Sequence, residues 1–257
     1  MLTPPEIARS LLAAGESKAR LPFGKMLLLA ILAGAYIALA GVGATAAAVT
    51  VESGSLAKLL SACVFPAGLS MVILAGSELF TGNCLMVMAL LERRITPAQL
   101  LCNWLTVYLG NAVGGAAVAA LAVYSHTASL FGDGLARSMV SIAESKAALG
   151  AGDAFLRGVL CNFLVCLAVW MAAASKRAEG KVIALFFPIL LFVLCGYEHC
   201  IANLYYLPAG AFAAAEYGME TTLTLAGCLK NLAAVTLGNL VGGAALGVGY
   251  RFAYLKE

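Results

Sequence analysis

Charge is what this sequence has least of: only 11% of its 257 residues are Asp, Glu, Lys or Arg, against 62% hydrophobic. Soluble domains carry about a quarter charged residues, so a water-exposed globule is excluded and an integral membrane protein expected. Histidine is scarcer still, with two residues, and the eight cysteines form no C-x-x-C pair and no cluster with those histidines. That argues against a zinc site or a dithiol centre and leaves cysteine as a small apolar residue. No metal and no cofactor is expected. The net charge of +3 is too small for a nucleic-acid footprint. A cleavable leader is also missing, because Arg9, Lys18, Arg20 and Lys25 precede the first apolar run without a cleavage-like site. The segment reads instead as an amphipathic surface helix with Ile7, Leu11 and Leu12 on one side.

What is present is hydrocarbon-length sequence. A crossing helix needs about 20 apolar residues, and six candidates lie near 26–49, 59–91, 98–123, 155–174, 182–214 and 225–250. The second and fifth are too long and too interrupted for plain helices. The chain reads as one transmembrane domain over 1–257, with no soluble catalytic domain and a polar loop near 126–154. His126 is expected in solvent there. Most of the 16 lysines and arginines fall on one side if both termini are cytoplasmic. The expected location is the cell (inner) membrane.

The third candidate reads NWLTVYLGNAVGGAA from Asn103 and the sixth NLAAVTLGNLVGGAA from Asn231. The second and fifth both carry Glu and Asn five apart, Glu78 with Asn83 and Glu198 with Asn203. Two halves of three crossings each enter the membrane from opposite sides, which makes an inverted repeat over roughly 21–125 and 150–254. The interruptions, GSELFTGN and CGYEHCIAN, put polar side chains at bilayer depth, where only protein or a water-filled cavity can cover them. Each restarted half-helix then aims unpaired N–H groups at the midplane, an arrangement that favours an anion. Thr81 supplies a neutral hydroxyl and His199 a ring that can donate, accept or carry a proton. Glu78 and Glu198 are expected to hold the breaks in shape through backbone N–H groups or asparagines. An unpaired carboxylate at the bilayer centre costs about 2.5–3.5 kcal/mol or more. Phe65, Leu69, Leu79, Phe80 and Phe192 are candidate apolar constrictions. Lys146 is either solvated or a collector of anions.

The segments ILAGSELFTG (73–82) and GVLCNFLVCLA (158–168) resemble the two signatures of the formate/nitrite transporter family. The wording GSELFTGN is similar to its hydrosulfide channel branch. The resemblance covers essentially the whole chain. It implies an aquaporin-like protomer in a homopentamer, passing formate, nitrite or hydrosulfide across the lipid bilayer. It places Thr81 and His199 at the pore centre, with Glu198 adjoining that histidine, Asn162 in the second signature and Asn239 facing the ring. It also places Phe65, Leu69, Leu79 and Phe192 at the constrictions and Lys146 near the outer mouth. Rival functions fit less well. Water and glycerol channels need two Asn-Pro-Ala turns, an ammonium channel wants paired pore histidines, and proton-coupled formate or nitrite transport stays open. An intramembrane enzyme has only His199–Cys200 to offer as base and nucleophile, so no enzyme is expected.

Overall fold

Glycine sets the architecture by ending two helices inside the membrane. In the computed structural model, which describes residues 1–256, Gly76 (φ 79°) and Gly196 (φ 68°) take the left-handed conformation just past a helix. That conformation suits glycine because no Cβ meets the following carbonyl. Upstream of Gly76 run α3 (Gly54–Val64) and α4 (Pro66–Ala75); upstream of Gly196 runs α10 (Ala178–Leu194). A few extended residues follow each glycine. The chain then restarts as α5 (Phe80–Asn83) continuing through a 3-10 turn into α6 (Val87–Leu91), and as α11 (Cys200–Glu216). The second and fifth segments are therefore broken, as expected.

Unbroken helices α2 (Phe23–Ala46), α7 (Pro97–Tyr124), α9 (Ala151–Ala173) and α12 (Leu225–Tyr254) frame these breaks. Five stretches are long and apolar enough to cross a bilayer alone: these four and Gly54–Ala75. The remaining crossing is made by α10 and α11. Leu101, Leu105, Leu109 and Val113 on α7 are exposed and four residues apart. A ridge of that spacing runs along one face of the helix, which no other element of this protomer covers.

The most extensive helix contacts are α9 with α12 and α2 with α7. Small residues allow them. A Cβ on Gly114 would sit 2.0 Å from the Ile31 carbonyl oxygen, and one on Gly242 2.1 Å from that of Val159. Close backbone approach is how helices pack where water supplies no driving force.

Two expectations need correction. The stretch near 126–154 is no plain loop but holds α8 (Gly134–Ala148), although His126 is indeed exposed. The N-terminal helix, α1 (Pro4–Ala19), is not merely a surface float. Its capping box joins Thr3 and Glu6, its Ile7 and Ala8 pack with Met88 and Trp170, and Gly15 lets it approach Ala89.

Candidate functional site

Four buried asparagines and two lysines hold the breaks in matching networks. In the first half, Lys18 Nζ donates to Glu78 Oε1 at 2.7 Å and to Asn83 Oδ1 at 2.9 Å. Asn83 Nδ2 donates to Glu78 Oε2 and Asn103 Oδ1, while Asn103 Nδ2 reaches the Lys18 carbonyl. In the second half, Lys146 Nζ donates to Glu198 Oε1 at 2.9 Å. Asn203 Nδ2 donates to Glu198 Oε2 and Asn231 Oδ1, and Asn231 Nδ2 to the Lys146 carbonyl. Glu78 and Glu198 thus do hold the breaks, through asparagines as expected but through lysines rather than backbone N–H groups. Burial of a carboxylate is tolerable only with such complete pairing. The matching reaches back to Lys18 and Lys146, so α1 and α8 are equivalent parts of the two halves, before the expected starts at 21 and 150.

Asn111 and Asn239 lock the breaks to their neighbours. Asn111 Oδ1 accepts from Phe80 N–H, and its Nδ2 donates to the carbonyls of Ala30 and Glu78. Asn239 Oδ1 accepts from Cys200 N–H, and its Nδ2 donates to those of Gly158 and Glu198. Asn239 therefore grips the backbone on either side of His199 instead of facing its ring. Asn162 donates to the carbonyls of Thr81 and Asn239, tying the two halves together. One first-turn N–H of each restarted helix, that of Phe80 and that of Cys200, is thereby taken by an asparagine rather than left to face an anion.

At the centre, Thr81 Oγ1 and His199 Nε2 lie 3.0 Å apart, both buried. His199 also caps α11: its Nδ1 accepts from Ala202 N–H at 3.1 Å. A nitrogen that accepts carries no proton, so the neutral ring bears its hydrogen on Nε2 and donates to Thr81. With both nitrogens so engaged, neither is left to activate Cys200.

Three cavities follow one another. The first, about 360 Å³, opens on the α1 side and is lined by Leu11, Lys18, Leu69, Gly76, Glu78 and Leu79 among others. The second, about 310 Å³, opens on the α8 side and is lined by Lys58, Phe65, Lys146, Arg157, Phe192 and His199 among others. Between them is a chamber of about 10 Å³, room for roughly one water-sized centre. Leu69 and Leu79 are shared by the chamber and the first vestibule. Phe65, Phe192 and His199 are shared with the second. Phe65 meets Phe192 edge-on at 5.7 Å, and Phe192 stacks on His199 at 5.8 Å. Four of the five candidate constriction residues therefore wall the chamber. The fifth does not: Phe80 packs edge-on against Trp104 and Tyr108 and lines none of the three cavities. Thr81 lines none of the three either and meets them through its contact with His199.

The match of this arrangement to known proteins is broad. A family model described as formate/nitrite transporter covers residues 5–253. The chain belongs to the formate/nitrite transporter family. Its relatives include a probable formate transporter of Methanothermobacter thermautotrophicus, 38% identical with 99% of this chain and 98% of that one covered. The formate channel FocA of Escherichia coli K12 is 34% identical, covering 100% and 96%. Among solved structures, an FNT family ion channel superposes with a TM-score of 0.86 at 32% identity, over 96% of this chain and 98% of that one. A pentameric formate channel with formate bound gives 0.81 at 32% identity, over 91% and 98%. In this family member the sequence pattern located Thr81 and His199 but missed Lys18, Lys58 and Arg157. Lys18 could have been found: carrying the Asn103-to-Asn231 displacement back along the chain pairs Lys18 with Lys146.

Proposed function

We propose that this family member is a channel for small monovalent anions of weak acids, with Thr81 and His199 as its central polar site. The observation that carries this reading is the sequence of vestibule, apolar-walled chamber and vestibule, with His199 the one polar side chain lining the chamber. A bare anion desolvates at high cost between Leu69, Leu79, Phe65 and Phe192, whereas a neutral acid does not. At the chamber an incoming anion can accept the hydrogen bond of His199 Nε2–H in place of the Thr81 hydroxyl that takes it at rest. Proton donation by an imidazolium would require Nδ1 to carry a hydrogen and so to give up the Ala202 cap. The cap favours His199 as a hydrogen-bond donor with passive permeation; proton-coupled transport is the reading it weakens.

Formate is supported by the names of the relatives and of a ligand-bound neighbour. Hydrosulfide is supported by the wording GSELFTGN and by a chamber with room for little more than one water-sized centre; nitrite has the family name alone. A homopentamer in the cell (inner) membrane with both termini cytoplasmic fits the exposed apolar ridge and the lysine and arginine bias. No catalytic residue, cofactor or metal is assigned. The test is flux into proteoliposomes with formate, nitrite and hydrosulfide in turn, at two pH values. Saturable flux of at least one, rising as pH approaches the acid's own pKa and lost in His199→Phe, is expected. Undiminished flux in that variant would refute the central site.

A further inference from the structure

The two vestibules are alike in size and different in charge. On the α1 side Lys18 is the only cation, and it donates to both Glu78 and Asn83. On the α8 side three cations, Lys58, Lys146 and Arg157, line one cavity with a single carboxylate, Glu198. Lys146 makes one hydrogen bond where Lys18 makes two, and Asn203 Oδ1, the counterpart of Lys18's second acceptor, has no partner among the described residues. An ammonium has three donors, so Lys146 keeps two for other acceptors. Lys58 and Arg157 form no ion pair among the described residues. Arg157 also accepts the Glu198 N–H through its carbonyl, which fixes it beside the break. Ser61 adds a hydroxyl donor to the same cavity.

We propose that the α8-side vestibule is a binding site for doubly charged oxyanions, of the inorganic sulfate or phosphate class, held by Lys58, Arg157 and the spare donors of Lys146. Three positive charges against one negative leave a surplus that a dianion neutralises, and guanidinium and ammonium donors suit tetrahedral oxygens. The cavity of about 310 Å³ accommodates such an ion. The chamber of about 10 Å³ beyond Phe65 and Phe192 does not. An occupant therefore sits at the mouth and obstructs it, from one face only. That obstruction rests on the channel reading; the binding does not.

The test uses the full chain in proteoliposomes, with the exposed face identified by protease access to an N-terminal tag, which lies on the α1 side. Formate flux is measured with sulfate on either face, exchanged for chloride at constant ionic strength to hold screening fixed. Sulfate on the α8 face is expected to inhibit and sulfate on the α1 face is not. Lys58→Gln with Arg157→Gln is expected to raise the half-inhibiting concentration by about fivefold or more, each curve normalised to its own uninhibited rate. Equal inhibition from both faces, none from either, or inhibition undiminished in the double variant overturns the site. In parallel, sulfate is titrated against the melting temperature of detergent-solubilised protein, with chloride as control. Stabilisation that the double variant loses supports the site even if the parent carries no formate, a result that would count against the channel reading alone. No stabilisation of the parent overturns it.

Discussion

Leu79 and His199 hold the same place in the two halves: each is the residue immediately before a restarted half-helix, and only His199 caps the helix with its side chain. The pseudo-symmetry is thus broken at the centre. One break contributes an apolar wall, the other a ring whose two nitrogens face different duties.

Those duties separate by substitution. His199→Asn keeps an N-cap acceptor and removes the imidazole, whereas His199→Phe keeps an aromatic ring but removes both the cap acceptor and the imidazole. Asn is expected to melt near the parent and Phe to lose about 1 kcal/mol, while both abolish flux. Thermal denaturation and anion flux on the same preparations check this; flux retained in the Asn variant would show that the ring is not needed.

Asn239→Ala leaves three buried backbone groups without their side-chain partner: Cys200 N–H and the carbonyls of Gly158 and Glu198. The Gly158 carbonyl keeps its helical partner within α9, so two groups are orphaned, and at about 1–3 kcal/mol for each the loss is expected to exceed that of the cap. Asn111→Ala orphans the corresponding pair, Phe80 N–H and the Glu78 carbonyl, and is expected to cost as much. Denaturation midpoints of the two variants decide, and a loss no larger than the cap's would show the amides to be replaceable by water.

The broken segments and the Thr81–His199 pair were legible in the sequence because each is a local contradiction, glycine and polar side chains inside hydrocarbon, whereas the four wall residues, apolar like any core, were placed only by the family resemblance. The repeat was legible where it is dense, in NWLTVYLGN and KNLAAVTLGN. Hidden were relations that fold together residues far apart. Lys18 finds Glu78, and Arg157 and Lys58 share a cavity, only after α1, α3 and α9 have docked. The polar stretch 126–154 concealed α8 because its buried face, Leu135, Ala136, Met139, Val140 and Ala143, packs on protein rather than on lipid and lacks a crossing's length. Phe80 was misjudged since composition does not tell which of three neighbouring apolar or hydroxyl side chains turns outward.

Glycine substitutions should split by position. Gly114→Ala forces a methyl against the Ile31 carbonyl, at an expected cost of about 1–3 kcal/mol or more from overpacking. Gly249→Ala, on the same kind of helix but with nothing within 4 Å, is expected to gain about 0.5–1 kcal/mol from reduced backbone freedom in the unfolded chain. Melting temperatures of the two variants carry opposite signs if the α2–α7 contact is as close as described.

Outside the membrane, Glu144 on α8 fastens the turn before α12: it accepts from Thr222 N–H and from the hydroxyls of Thr221 and Thr222. The Thr222 amide, foremost, lowers its carboxyl below the ordinary 4.5. A depressed folded-state value means the tether is intact above pH 4.5 and is lost as pH falls through the lowered value. The protection factor of the Thr222 amide, its exchange rate relative to the intrinsic rate at the same pH, should therefore be high at neutral pH, fall in acid, and be low throughout in Glu144→Ala. Protection unchanged in that variant would show another group to hold the turn.

Where Gly114 and Gly242 seat their helices directly on a neighbour's backbone, α2 with α7 and α9 with α12 become two stiff struts. Struts of that kind do not slide without lifting apart. Each strut lies within one half, so what it stiffens is that half as a unit, and the load between the halves falls on contacts such as Asn162 with the Thr81 carbonyl and His199 with the Thr81 hydroxyl.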